Sequence, residues 1–350
     1  MRKPYPGLVS AGQVDLRGAA NVPGVTEDAL TPLIEASDLA GLIRHVDGIC
    51  SRREWGELID LRDRCEEAVE RGKQVWAVAQ FAEYRLALEA PAETAATVME
   101  DGRGRFALGP LWEVAASSHS WNDLRPYVEV PTVRAMVAHE RSIRGDHVSE
   151  ADIDVHVLGV PVGQQPWEPT YPLAEYKSDR AAFPDDIHEV PMEWVDLPDA
   201  AEPQQEDALC DVLMDLVKPW WEDSQGKAEV VTVDGTVEEA IRALGPHRVR
   251  IAEVTPGQAM EAMAWAGASG GGHGRRRGTP TGRAGAWWVL LEALGYDEIP
   301  DDLSTLGAEA SELRWVLWDP GDRIGGWNLH IGIEDPDDGA AWVLSAVDAV

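Results

Sequence analysis

The sequence predicts a chain in two parts. An all-α N-terminal half, HEAT-like or an irregular bundle, leads into an α+β C-terminal domain with a mixed sheet. Three observations predict it. Apolar residues recur near a 3.6-residue period across about 26–145. Residues 146–205 carry a proline every few positions. Beyond 206, short β-branched runs alternate with well-capped helices. A length of 350 residues suits two domains of ordinary size.

Residues 1–25 are punctuated by Gly and Pro and read as an irregular arm. Thr26 is a fitting N-cap, with Glu27 and Asp28 in the first turn, where acids favour the helix dipole. Leu30, Leu33, Ile34, Leu39, Leu42, Ile43 and Val46 continue that helix. Ser51-Arg52-Arg53-Glu54 reads as a capping box opening the next one. This second helix buries Trp55, Leu58, Ile59, Leu61, Cys65 and Val69 and stops near Gly72. A third spans 75–90 and ends before Pro91. Shorter helices follow at about 93–99, 108–116, 123–127 and 132–144. No repeat of fixed period accompanies the spacing, so stacked hairpins and an irregular bundle fit equally.

Within 146–205, residues 155–160 read as one strand. Trp167, Tyr171, Tyr176, Phe183 and Trp194 sit among the prolines. Free tethers are poor in aromatics, so this segment is expected to pack across the surface with its rings buried. The α+β domain opens at Glu206 with a helix to Val217 that Pro219 ends. Residues 228–233 form a strand, and Thr236-Val237-Glu238-Glu239 is a capping box. A strand over 248–254 leads to Thr255-Pro256, an N-cap followed by Pro at the first helical position. That helix dissolves at Gly270-Gly271-Gly272, and another covers 282–294. Strands over 313–318, 327–333 and 341–347 complete the domain, the last two joined by a turn at 335–339.

Charge excludes some functions. Lys+Arg number 30 against 62 Asp+Glu, a formal charge of −32. A general nucleic-acid coat and a docking face for anionic lipid both need positive surface. No apolar run approaches the roughly 20 residues that span a bilayer. No signal-peptide pattern follows Met1, and Cys50, Cys65 and Cys210 are odd in number with no CxxC pair. The protein is therefore expected in the cytoplasm, its cysteines buried and unpaired. Only five of the basic residues are lysines, as in a GC-rich coding bias that raises arginine counts without functional cause.

The charge is uneven. Residues 151–230 hold 19 acids against four basic residues, and 296–350 hold 13 against two. Between them, 240–283 holds seven arginines against two glutamates. The centre of this basic island is the loop Gly270–Arg283. Gly272 and Gly274 free the backbone to turn its N–H groups outward, and the loop feeds a helix N-terminus; both favour anions. Arg275, Arg276, Arg277 and Arg283 supply forks for phosphate or carboxylate, and His273 an imidazole donor. A phosphate, nucleotide or acidic peptide is the ligand class implied. The plainer account is that Arg275, Arg276 and Arg277 clamp acidic segments of the same chain. No Walker lysine and no GxGxxG order is present. Of the 15 tryptophans, Trp265 lies on the helix entering the loop and Trp287 and Trp288 on the helix leaving it. They fill core or flank the loop, where one would stack on a base or an arginine.

No HExxH or zinc quartet occurs, so neither a metal nor a cofactor is expected. His119 and His139 read as core or surface histidines of the helical half. Several stretches together, 82–91, 105–111, 113–117, 138–141 and 272–278, resemble an uncharacterised family of actinobacterial cytosolic proteins carrying a domain of unknown function. The resemblance spans most of the chain and implies no activity, substrate or catalytic residue.

Three functional readings follow. The first is a non-catalytic cytosolic interaction or regulatory protein with an anion-binding loop and a protein partner. The alternative is a nucleotide- or phosphate-handling enzyme at the same loop, with His273 as acid or base and Asp319, Asp322, Glu334 or Asp335 holding a metal. A second alternative is an acidic inhibitor, like a DNA mimic, that occupies a basic partner.

Overall fold

The computed structural model describes residues 29–99, 109–184, 190–205, 207–321 and 325–348. The irregular arm, the Thr26 cap, Glu206 and Asp322 lie outside the described residues.

The helical half comprises α1 (Leu30–Glu35), α2 (Leu39–Arg52), α3 (Trp55–Glu70), α4 (Trp76–Glu89), α5 (Ala92–Ala96), α6 (Leu111–Ser118), α7 (Trp121–Leu124) and α8 (Pro131–Ile143). Two expectations change here. The helix anticipated through Val46 breaks at Ser37, which takes a left-handed φ of 52°. Asp38 then caps α2, its carboxylate accepting the Gly41 N–H at 2.9 Å. Nor does Ser51 open α3. Its hydroxyl bonds back to the Asp47 carbonyl inside the last turn of α2, a competing local bond open to any helical serine. Arg53 closes α2 at φ 58°, and Glu54 precedes α3 without a side-chain cap.

α4 touches α2, α3, α5 and α6 and buries residues on several of its faces, among them Val78, Ala82, Tyr84 and Leu86. A central helix wrapped by its neighbours marks an irregular bundle, since units of a solenoid contact only the adjacent ones. Cys50 and Cys65 are free and buried in this core, and burial pushes both thiols up to about 11. Cys210 is buried as well and forms no disulfide.

The proline-rich segment packs against both halves. Residues 155–158 form a turn rather than the expected strand. The hairpin β1 (Glu175–Lys177) and β2 (Arg180–Ala182) and the strand β3 (Glu193–Asp196) follow. Tyr171 and Tyr176 are buried as expected, whereas Phe183 and Trp194 are exposed. Val162, Ala174 and Tyr176 join the helical core, while Val160 and Tyr171 join the core under the sheet.

The C-terminal part contains α9 (Ala208–Leu216), α10 (Lys218–Glu222), β4 (Lys227–Asp234), α11 (Val237–Ala243), β5 (Arg248–Val254), α12 (Pro256–Ala268), α13 (Thr279–Ala293), α14 (Leu306–Glu309), β6 (Arg314–Asp319), β7 (Trp327–Asp335) and β8 (Ala340–Asp348). Pro219 sits in the first turn of α10, where a missing N–H costs no bond. Six strands pair in the order β3-β5-β6-β7-β8-β4. The α+β class stands, but the sheet is not mixed: every pairing among the described residues is antiparallel. Hairpins join β6 to β7 and β7 to β8, and the helical excursions return the chain antiparallel.

Both faces of the sheet are covered. Trp315 and Leu317 of β6 meet α12 and α13, while Val316 and Trp318 meet α11. This double burial explains the apolar run Trp315-Val316-Leu317-Trp318. The capping box at Thr236 and the N-cap at Thr255 form as expected, and Gln258 completes a capping box at Thr255 as well. Among the described residues no helix is long and apolar enough to cross a membrane.

Candidate functional site

The basic loop is shorter than the sequence suggested. α12 ends at Ala268, and α13 begins at Thr279 because Pro280 fits its first turn. The chain closes on itself: the N–H groups of Arg277 and Gly278 both donate to the Ala268 carbonyl, at 2.8 and 3.3 Å. Gly278 holds φ at 91° and lies so close to Trp112 that a side chain would meet the indole. Residues 269–278 thus form a tight loop anchored at both ends of the helix pair.

The arginines have separate fates. Arg276 forks onto Glu113, Nε to Oε2 at 2.9 Å and Nη2 to Oε1 at 2.8 Å. Glu113 is fully buried on α6 and also accepts from the Tyr176 hydroxyl at 2.7 Å and the Thr279 N–H at 3.3 Å. Burial pushes the Glu113 carboxyl up, yet the Arg276 charge and these donors outweigh it and hold the group below the usual Glu range. Arg283 is completely buried. It forks onto Glu168 at 2.7 Å through both Nε and Nη2, and Nη1 reaches the Pro161 carbonyl at 2.7 Å. Its guanidinium lies 5.6 Å from the centre of the Trp287 ring. Arg276 is an intramolecular clamp of the kind the plainer account expected, and Arg283 is a second clamp outside that expectation.

A third internal contact occupies a loop N–H. The carboxylate of Asp348 accepts from Gly272 at 2.5 Å. Arg277 is half-buried; burial lowers its pKa, while Asp215 and Asp223 act in the opposite direction. His273 and Arg275 are exposed and have no side-chain hydrogen bond or ion pair among the described residues.

Those two side chains border a cavity of about 510 Å³. Phe183, Trp265 and Trp327 line it as well, together with the Gly270–Gly272 backbone and Arg276. Trp265 is therefore at the site, its Nε1 held by the Pro184 carbonyl at 3.0 Å. Trp287 and Trp288 are not: the first fills the core against Trp167, and the second donates to the Leu158 carbonyl. Trp288 also packs under Gly159.

A model of a family of unknown function (DUF6183) matches residues 40–349. The chain belongs to that family. The DUF6183 match takes in both halves and the loop, so the clamps lie within one family unit. No curated protein and no solved structure matches this DUF6183 chain.

Of the carboxylates proposed for a metal, Asp319, Glu334 and Asp335 are engaged elsewhere. Asp319 pairs with Arg250 and accepts the Gly321 N–H, and Glu334 pairs with Arg314. Asp335 shapes the β7–β8 turn by accepting from Asp337 and Asp338. Among the described residues no cluster of His, Cys, Asp and Glu could hold a metal ion.

Several residues that build the site escaped the sequence reading. Glu113 and Glu140 interrupt apolar helical faces, which is the signal that could have revealed them. Glu140 is wholly buried, with Arg144 on one oxygen at 2.7 Å and no partner on the other. Burial and the nearby Glu113 charge push it up to about 7, against the pull of Arg144. His139 is buried beside Arg283, and burial with that charge lowers it to about 3, so its ring is neutral. Phe183 and Trp327 are distant in sequence from the loop and carried no local signal.

Proposed function

We propose that this is a non-catalytic cytoplasmic protein of the interaction or regulatory kind, whose loop pocket takes a small anion. One observation carries the reading. Among the described residues, His273 and Arg275 have no side-chain partner and border a cavity of about 510 Å³, while Arg276 and Arg283 of the same basic island are committed to internal carboxylates. The internal pairs fix the loop, and the Arg275 guanidinium and the His273 imidazole remain for an external charge. An exposed guanidinium at the rim of a cavity is suited to phosphate or carboxylate. A protein of charge −32 repels anions at long range, so an anion must be held by local contacts.

Thermal melts of the full chain with inorganic phosphate and pyrophosphate test this. The expected result is a melting temperature that rises with ligand concentration in the wild type. In the double variant His273→Ala, Arg275→Ala the rise should vanish while the unliganded melt stays nearly unchanged. A wild type that ignores phosphate, pyrophosphate, nucleotides and small carboxylates alike would end the reading.

A further inference from the structure

We infer that the ligand of this pocket is a planar aromatic anion, its ring received by Trp265, Trp327 and Phe183 and its phosphate or carboxylate by Arg275 and His273. This inference rests on the anion-binding reading and adds the ring to it. The lining is divided in chemistry: cations and glycine backbone on the loop, two indoles and a phenyl from three other segments. A site for inorganic phosphate alone needs no such wall.

The rings are prepared for a ligand in different ways. Trp265 is fixed, its indole nitrogen tied to Pro184 and its ring set edge-on to Trp220 at 6.0 Å. Phe183 is 41% exposed, an unusual position for one of only three phenylalanines in the chain. It is nonetheless held in place, with the Arg276 guanidinium 5.2 Å from its ring centre and the Tyr176 ring edge-on at 6.1 Å. Trp327 is half-buried at the start of β7, packed against the core under the sheet, and its indole has no ring or hydrogen-bond partner among the described residues. Aromatic surface left open beside a cation marks a binding site more often than a solvated face. The volume, about 510 Å³, lies in the usual range for small-molecule sites. Ring preorganisation lowers the entropy lost on binding, and stacking on aromatic side chains tolerates any flat π-face.

Isothermal titration of the full chain at low salt, with paired ligands, provides the test. AMP against ribose 5-phosphate isolates the ring in a phosphate ligand. Benzoate against acetate isolates it in a carboxylate. A preference of tenfold or more in either pair is expected, with quenching of tryptophan fluorescence, and the pair that shows it identifies the anionic group. Trp327→Leu should reduce that preference to within about twofold, and Phe183→Leu should weaken it should the first variant fail to fold. Preferences below tenfold in both pairs, with phosphate or acetate still bound, would overturn the aromatic inference and leave the anion reading intact. A preference that survives in both folded variants would overturn the assigned rings. No binding by any of the four ligands would remove the inference and the anion reading together.

Discussion

Without the Arg283 guanidinium, Glu168 would keep only the Tyr171 hydroxyl and the Gln165 N–H as partners in a buried site. Breaking a buried pair from one side leaves an uncompensated charge, typically at a cost of about 3–5 kcal/mol. Arg283→Met should therefore lower urea stability at pH 7 by that order, and adding Glu168→Gln should recover part of it. Arg275 makes no such pair, so Arg275→Ala should change stability by less than about 0.5 kcal/mol. Equal losses in the two variants would contradict this division of roles. Glu140 behaves in the opposite sense to an ordinary paired carboxylate. Its folded pKa, about 7, lies above its unfolded value. Its favourable contribution is thus complete below the usual Glu range and lost as the pH rises through 7. Glu140→Gln cannot ionise, so its stability relative to wild type should increase from pH 5 to pH 8. Denaturant melts at the two pH values will show a widening difference, or a constant one should Glu140 not titrate there.

At the level of elements, the loop depends on how closely α12 and α13 approach. Gly282 faces the Ala264 carbonyl with no room for a Cβ, and a Cβ on Gly267 would stand 3.0 Å from the Gly282 Cα. Alanine is the better helix former by about 1 kcal/mol, yet here it would force two backbones apart. Gly282→Ala should destabilise by about 1–3 kcal/mol, the range of overpacking, and weaken anion binding because the loop spans the same helix pair. A variant as stable as wild type would show that the helices can slide. The capping box at Thr236 and the N-cap at Thr255 were legible because cap and following helix are contiguous in sequence. Ser51 offered the same local pattern and failed, because a preceding helix already claimed its hydroxyl. Residues 155–160 had the composition of a strand but no neighbouring strand to pair with, and formed turns.

Across the whole molecule, two buried ion pairs join segments far apart in the chain: Glu113 to Arg276 and Glu168 to Arg283. Both carboxyls are held below the ordinary Glu range, as is Glu238 beside Arg314. Such groups contribute stability above the unfolded carboxylate pKa and lose it as pH falls through their folded values. Glu140 acts against them at higher pH. Stability of the wild type should therefore be greatest near the ordinary Glu range, falling below it as the paired carboxylates protonate and falling above it, up to about pH 7, as Glu140 ionises. A pH series of thermal melts checks the shape; a profile that rises from pH 5 to pH 7 would contradict it.

Composition and periodicity were enough to fix the α+β class, most helix positions and the location of the basic island, because each depends on residues close together in the chain. The sequence also placed a cation-rich loop between two helices. It could not assign partners to the individual arginines. Arg275, Arg276 and Arg277 are adjacent and chemically identical, and only the positions of Glu113, Asp215 and Asp223 distinguish them. The same holds for the aromatic wall, whose rings come from positions 183, 265 and 327. The antiparallel sheet, the buried Glu140 and the division between clamping and unpaired arginines arise from contacts between distant segments. Local propensity carries no record of such contacts, so the folded chain alone decides them.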